Sequence, residues 1–192
     1  MSTTDAIHKS IKDGYFEIRE ADEIDLPEVL EVERLAFGED DEALLVENIL
    51  KDASAQPVIS LLAYFQEQPV GHILYSKATI EGHKDLSAYI LAPLAVVPEF
   101  QQQGIGQKLM EAGDKILLKM DTDLVFVLGH PSYYPKNGFI NDAASHGFPA
   151  PYHILATNAD AWMYKPIKDG IQQYSGSVKC CQALAKPEYW RE

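Results

Sequence analysis

The sequence of 192 residues contains only two cysteines, and they are adjacent, at Cys180 and Cys181. Two neighbouring cysteines do not make a disulfide framework, so a reducing, cytoplasmic setting is expected. A redox or metal-binding role for the pair stays open beside plain packing. His146 and His153 lack the close His, Cys or Asp spacing of a zinc site, so no metal is expected.

Long apolar runs are also absent. Runs such as residues 61–65 and 124–128 have the length of a strand, far short of the roughly 20 residues that span a membrane. The first 13 residues carry no apolar segment of the kind that a secretory signal requires. We therefore expect a flexible N-terminal arm over residues 1–13, with neither a signal peptide nor a membrane partner.

Positive charge is scarce: the sequence has 16 Lys and Arg residues and 29 Asp and Glu residues, which gives a net charge of −13. This balance opposes nonspecific binding to nucleic acid and to anionic membranes, so neither is expected as a partner. It is compatible with a cationic amine substrate, although excess acid also simply favours solubility. The apolar content of 46% and charged content of 23% are typical of a globular protein with a substantial core.

One segment joins an apolar run, a glycine turn and a helical pattern. Residues 91–97 predict a strand, which Pro98 ends because proline cannot donate to a central ladder. The sequence QQQGIG at residues 101–106 follows, and a helical pattern begins there. A helix that starts at a glycine turn leaves its first amides unpaired and directed out of the turn. The segment therefore predicts a site for the pyrophosphate of a nucleotide cofactor.

Other known glycine motifs do not fit this turn. The dinucleotide fingerprint G-x-G-x-x-G fails because its third glycine is Leu109, and a Walker A loop fails because Gly106 is followed by Gln107. A G-x-S-x-G elbow of a serine hydrolase is absent as well. The turn instead resembles the acetyl-CoA-binding motif Q/R-x-x-G-x-G/A of the GNAT superfamily of acyltransferases. Gln101, Gly104 and Gly106 occupy its fixed positions.

The preceding strand extends this resemblance, because residues 94–98 match the L-x-V-x-P strand of the same family. The resemblance implies that acetyl-CoA is the cosubstrate and that an amide near Val96 polarises its thioester carbonyl. Gln101 would shape the loop or donate an additional hydrogen bond. The residues expected to bind acetyl-CoA are Leu94, Ala95, Val96, Gln101, Gln102, Gln103, Gly104, Ile105, Gly106 and Gln107, together with Tyr134 below.

A second motif lies at residues 134–139, YPKNGF, and resembles the Y-x-K-x-G-F signature of the GNAT family. The resemblance implies that the Tyr134 hydroxyl lies beside the CoA sulfur and protonates the departing thiolate. The alternative is a tyrosine that packs under the loop, and Tyr133 is the neighbour most easily confused with it. The family's asparagine seven residues earlier is Val127 here. The G-x-P-x-Y-Y pattern resembles a bacterial subgroup of predicted N-acetyltransferases.

The general base is sought among carboxylates and histidines near the acceptor amine. Glu33, on the first predicted helix, is the candidate, because that helix borders the acceptor site in GNAT folds. His72, Tyr89 and His130 are alternatives. Each has a structural explanation as well: a solvated helix face for Glu33, satisfied structural histidines for His72 and His130, and core packing for Tyr89.

The order of elements predicts an α/β (α+β) fold of GNAT type, with a mixed, mostly antiparallel sheet flanked by helices. The resemblance covers residues 14–140, and residues 141–192 are expected to form a C-terminal extension within a single domain, 14–192. Leu35 and Leu44 are among the side chains expected to face the core. Helices are predicted over residues 25–36, 41–53 and 103–120, and strands over 15–20, 58–65, 70–78, 88–97, 123–128, 161–165 and 178–183.

These features predict an N-acetyltransferase that moves an acetyl group from acetyl-CoA to a primary amine of a small molecule or peptide. Transfer would be direct, in a ternary complex, without a covalent enzyme intermediate. The alternative is a catalytically silent, acetyl-CoA-binding regulatory protein that acts through a protein partner. Use of longer acyl chains, and assembly as a homodimer, are left open.

Overall fold

A seven-stranded sheet is the framework of residues 14–191, the part of the chain that the computed structural model describes. The arm predicted over residues 1–13 lies outside these described residues. Strands β1 to β6 follow one another in space, and only the β4–β5 pair is parallel. The short strand β7 pairs with β3. The strands are β1 (Phe16–Glu20), β2 (Ile59–Phe65), β3 (Gln68–Ile80), β4 (His83–Val96), β5 (Leu124–Leu128), β6 (Trp162–Pro166) and β7 (Val178–Lys179).

Three α-helices flank this sheet within the described residues: α1 (Leu26–Phe37), α2 (Asp41–Lys51) and α3 (Ile105–Lys119). Helix α1 has a proline in its first turn and ends at Gly38, whose φ of 78° suits glycine. Helix α3 begins after Gly104 in the glycine turn. No helix within residues 14–191 is long and apolar enough to cross a membrane.

The helices lie on opposite faces of the sheet, as the alternation along β3 shows. A Cβ at Gly71 would stand 3.0 Å from Ile105 Cγ2, and one at Gly113 would stand 2.5 Å from the Tyr75 hydroxyl. Helix α3 therefore packs closely on the face that carries Gly71 and Tyr75. His72 points to the other face, where it contacts Glu33 of α1.

The residues after 140 complete the sheet, because β6 pairs with β5 along its whole length and β7 pairs with β3. Two residues of the same region also form hydrogen bonds with the turn that follows α2. The Gln182 amide donates to Ser54 Oγ at 2.9 Å, and the Ala183 amide donates to Asp52 Oδ2 at 2.8 Å. Cys180 and Cys181 are free thiols here, and burial raises the pKa of Cys180 to about 11, which disfavours a reactive thiolate.

Three predictions about local structure are wrong. The strand expected over residues 178–183 has two residues, because a 3₁₀ turn over Gln182–Leu184 ends the extended chain. Leu35 is 46% exposed and Leu44 is 53% exposed, although both were expected to face the core. The buried side of α2 is formed by Ala43 and Val46 together with Ile49, and the helix contacts α1 and the turn at Gln182–Leu184.

Candidate functional site

The strands β4 and β5 separate where the glycine segment begins. Their parallel pairing runs to Leu91 and Val127 and stops there. At the same point the β3–β4 register shifts, so that Ala92 and Pro93 lie opposite the single residue Leu74. Such a bulge bends its strand, and Pro93 has no N–H with which to pair. The rest of β4 therefore stays bonded to β3 alone and opens a gap toward β5.

The backbone groups of β4 that face this gap follow from the hydrogen-bond alternation. Val97 N–H donates to a β3 carbonyl at 2.9 Å, so the groups of Leu94 and Val96 point away from β3. Gln101 agrees with this orientation, because its Nε2 donates to Val96 O at 3.0 Å. Gln101 thus ties the glycine turn to the strand end. The amides of Leu94 and Val96 are directed toward the gap.

The N-terminus of α3 lies beside the gap. Gly104 adopts φ 79°, a conformation that favours glycine, and the helical bonding starts with Lys108 N donating to Gly104 O at 3.0 Å. The amides of Ile105, Gly106 and Gln107 precede that bond, so the helix supplies no carbonyl for them. With the helix dipole they form a local positive field suited to a phosphate group.

Two glycines allow a pair of tyrosines to approach the gap. A Cβ at Gly106 would collide with the Tyr133 hydroxyl, and a Cβ at Gly129 would stand 2.5 Å from Tyr134 Cε2. The two tyrosine rings meet edge to face with centroids 5.2 Å apart. Burial raises the pKa of Tyr133. The Tyr133 phenol is therefore held beside the start of α3 as a protonated group at neutral pH.

These elements enclose a cleft of about 710 Å³. Most of the residues predicted to bind the donor line it. Two do not: Ala95 is 1% exposed in the core, and Gln103 donates from Nε2 to Glu99 O at 3.4 Å, outside the wall. The predicted residues on the wall are Leu94, Val96, Gln101, Gln102, Gly104, Ile105, Gly106, Gln107 and Tyr134.

Three further residues that are not among the predicted site residues also line the cleft. Phe37 from the end of α1 and Glu42 from the first turn of α2 line one part of the wall, and Lys136 lines another. Lys136 belongs to the YPKNGF motif, so the sequence could have predicted its place on the cleft wall. No sequence motif indicates Phe37 or Glu42, because their place on the wall depends on how α1 and α2 pack against each other.

Glu33 is buried behind the cleft rather than on its wall. Its carboxylate Oε1 lies 2.5 Å from His72 Nδ1, and His72 Nε2 lies 2.9 Å from Ser60 Oγ. Glu33 and His72 are both 0% exposed, so the explanation of Glu33 as a solvated helix face is wrong. Burial raises the pKa of Glu33, although the hydrogen bond with His72 acts in the opposite direction.

The other candidate bases occupy different places. His72 is bonded through both ring nitrogens, as its structural explanation predicted, and Tyr89 is 3% exposed in the core. His130 lines the cleft and contacts Ser132 Oγ through Nδ1 at 2.9 Å. In the described part of the chain, no three His, Cys, Asp or Glu side chains cluster so that they could hold a metal ion.

Comparisons with known proteins agree on one family. The family model described as an acetyltransferase (GNAT) domain matches residues 57–141. The uncharacterized N-acetyltransferase YjhQ of Escherichia coli K12 is 41% identical over 167 residues, which cover 86% of this chain and 92% of the relative. The uncharacterized N-acetyltransferase YhbS of the same organism is 32% identical over 124 residues, or 64% of this chain and 71% of YhbS.

Solved structures show the same architecture. The crystal structure of the GNAT family N-acetyltransferase YhbS from Escherichia coli in complex with CoA matches with a TM-score of 0.80 and 26% identity, covering 90% of this chain and 93% of that one. A GNAT family acetyltransferase from Brucella melitensis in complex with acetyl-CoA matches with a TM-score of 0.69 and 24% identity, covering 89% and 99%. The second likeness concerns the fold alone.

Proposed function

The chain belongs to the GNAT family of N-acetyltransferases, and we propose that it transfers an acetyl group from acetyl-CoA directly to a primary amine of a small molecule or peptide. The observation that carries this proposal is the gap between β4 and β5, which ends at the N-terminus of α3. It places outward strand amides, helix amides and a phenol around one cleft. The CoA held by the relative YhbS supports the choice of donor.

The residues of the cleft fit the parts of acetyl-CoA. The amides of Ile105, Gly106 and Gln107 would hold the pyrophosphate, because unpaired N–H groups at a helix N-terminus bind phosphate oxygens. The extended arm of the donor would lie along β4, where the groups of Leu94 and Val96 have no β5 strand to pair with. An added side chain at Gly106 would fill the space between α3 and the tyrosines.

Acetyl transfer then needs three contributions from the chain. The Val96 amide would donate to the thioester carbonyl oxygen and stabilise the negative charge that develops there. The neutral amine attacks the carbonyl carbon, so that a C–N bond forms and the C–S bond breaks. The Tyr134 hydroxyl would give its proton to the departing sulfur, and the ammonium supplies a proton in return through a base.

Donor binding is tested by titrating the purified protein with acetyl-CoA, free CoA and NADH in a calorimeter. We expect saturable binding of acetyl-CoA and CoA and none of NADH. The variant Gly106→Arg should lose acetyl-CoA binding, because its side chain must displace Tyr133 from the start of α3. Leu118→Arg, a matched charge change at a 60% exposed position of the same helix, should bind normally. Unchanged binding by a folded Gly106→Arg variant would contradict the assignment of the cleft.

Catalysis is tested by thiol release from acetyl-CoA in the presence of a panel of primary amines. Tyr134→Phe should lower kcat by about 10²-fold or more, with acetyl-CoA binding retained, because a general acid contributes about that much. Tyr133→Phe is the matched control, since it removes the neighbouring hydroxyl. An equal decrease of kcat in the two variants would contradict the role of Tyr134 as the general acid. Binding without thiol release above background would favour the silent regulatory protein.

A further inference from the structure

Glu42 presents a shielded carboxylate to the cleft. It stands in the first turn of α2 and lines the wall near Phe37. Its Oε2 atom is buried and has no hydrogen-bond partner among residues 14–191. A carboxylate oxygen withdrawn from water without a partner is unfavourable unless a donor or a cation meets it. The cleft therefore offers an anionic position that a ligand can complete.

Glu33 brings a second carboxylate to the same region from α1. Phe37 lies four residues after Glu33, so both project from one face of the helix, and Glu33 lies one turn deeper. Glu33 is 0% exposed, and its Oε2 atom also lacks a partner within the described chain. Burial is the main reason why the pKa of Glu33 is raised, and the charge of Glu42 adds to it. The two carboxylates are thus close enough to repel each other.

Hydrogen bonds with residues of the sheet fix the orientation of the Glu33 carboxylate. His72 holds Oε1 at 2.5 Å, and Ser60 holds the far ring nitrogen of His72 at 2.9 Å. All three side chains are buried. Because Oε1 is bonded to His72, Oε2 is the oxygen of Glu33 that is left without a partner among residues 14–191. His72 and Ser60 are therefore positioning residues for this carboxylate.

Resting on the proposed function, we propose that Glu42 binds the ammonium group of the acceptor and takes its proton, and that the buried Glu33 supplies a second negative charge behind it. An ammonium in the cleft would donate to the Glu42 carboxylate, and its positive charge would relieve the repulsion between Glu42 and Glu33. One N–H bond of the ammonium breaks first and an O–H bond forms on Glu42, so that the freed lone pair can attack the thioester. As the C–N bond forms and the C–S bond breaks, Tyr134 would protonate the departing sulfur, and the nitrogen would return a second proton to Tyr134. Glu33 keeps its charge beside the cation and acts through position.

Phe37 narrows the class of acceptor. It is 42% exposed and lines the cleft within one helical turn of Glu33. An exposed aromatic face beside an anionic pair favours a cation that carries an apolar stem, because the stem packs on the ring and the charge interacts with its face. The acceptor is accordingly a protonated primary amine on an apolar or aromatic stem, rather than a neutral amine or an anionic amino acid.

The test compares two probes of one shape, phenethylamine and phenethyl alcohol, by NMR titration of the protein with and without saturating CoA. We expect the ammonium probe to bind at least about tenfold more tightly than the alcohol, as a charge-assisted hydrogen bond requires. Glu42→Gln should abolish this preference. Asp41→Asn, an equal charge change at the preceding exposed residue, should keep it. Equal binding of both probes by the wild-type protein, or an unchanged preference in Glu42→Gln, would overturn the inference.

The positioning role is tested in the same titration. Glu33→Gln and Ser60→Ala should weaken ammonium binding while leaving the affinity for phenethyl alcohol and for acetyl-CoA unchanged. Ser76→Ala, at another buried serine, is the control for a plain loss of a hydroxyl from the sheet. Equal weakening for all three ligands would indicate a structural role and contradict positioning. If the wild-type protein does not bind acetyl-CoA, the proposed function is contradicted. The amine preference is measured without CoA as well, so that result can be distinguished from a failure of the present inference.

Discussion

The start of α1 carries a network whose contribution to stability can be worked out. Arg19 donates from both terminal nitrogens to the two oxygens of Asp25 at 2.7 Å, and Asp25 also accepts from the Asp22 amide at 2.9 Å. The hydrogen bonds from Arg19, then the one from Asp22, lower the pKa of Asp25 from 3.8 to about 2. We predict that Asp25→Asn destabilises the fold and loosens the helix that carries Glu33 and Phe37.

The lowered pKa sets the magnitude. At about 1.36 kcal/mol per unit of pKa, the fall from 3.8 to about 2 corresponds to roughly 2.4 kcal/mol. The Arg19 side chain is 43% exposed, so solvent screening reduces the expected loss to about 1–2 kcal/mol. A carboxyl with a lowered pKa stabilises the folded state above its unfolded value, and this contribution is lost as the pH falls through the folded value. The difference in the free energy of unfolding between the wild type and Asp25→Asn should have its full value at pH 7 and should largely disappear near pH 2.

Urea unfolding followed by circular dichroism, at pH 7 and at steps down to pH 3, measures this difference. Asp40→Asn is the matched control, because Asp40 also pairs with an arginine, at 2.8 Å from Arg34, but its side chain is 72% exposed. We expect the control to change the free energy of unfolding by about 0.5 kcal/mol or less. A difference for Asp25→Asn that stays constant from pH 7 to pH 3 would refute the reasoning, because it would not come from the ionised carboxylate.

Two further predictions concern buried groups. Because the pKa of Glu33 is raised above its ordinary 4.5, the wild-type protein should lose stability as the pH rises from about 4.5 through the raised value, and Glu33→Gln should remove this slope. Urea unfolding at pH 5 and pH 8 checks it, and an identical slope in the variant would contradict it. Gly113→Ala should lower the free energy of unfolding by about 1–3 kcal/mol, because the new Cβ meets the buried Tyr75 ring. An unchanged urea midpoint would show that the ring can move away.

The part of the cleft that we propose binds the donor could be predicted because its residues are contiguous in the chain. The strand end, the glycine turn and the first turn of α3 lie within residues 91–107, and their local conformations follow from proline and glycine. Tyr134 belongs to a second short motif and was found for the same reason. The order of helices and strands also followed from periodicity, and the mixed sheet was confirmed.

The part of the cleft that we propose binds the acceptor could not be predicted in this way. Glu33 looks like any acidic residue of an amphipathic helix, and only the packing of α1 on β3 buries it against His72. Glu42 and Phe37 reach the cleft because α1 and α2 pack against each other, and the same packing leaves Leu44 exposed. Helical periodicity defines an apolar side but leaves open which flanking residues a neighbouring element covers.

The sequence by itself determined the family, the fold class and the segment proposed to bind acetyl-CoA, because these depend on adjacent residues and on local backbone preferences. Only the tertiary structure decided where β4 leaves β5 and which carboxylates stand at that opening. The physical reason is that the bulge at Ala92 and Pro93, the burial of Glu33 and the position of Glu42 on the cleft wall all depend on contacts between residues far apart in the chain. Those contacts exist only when the helices and the sheet have packed together.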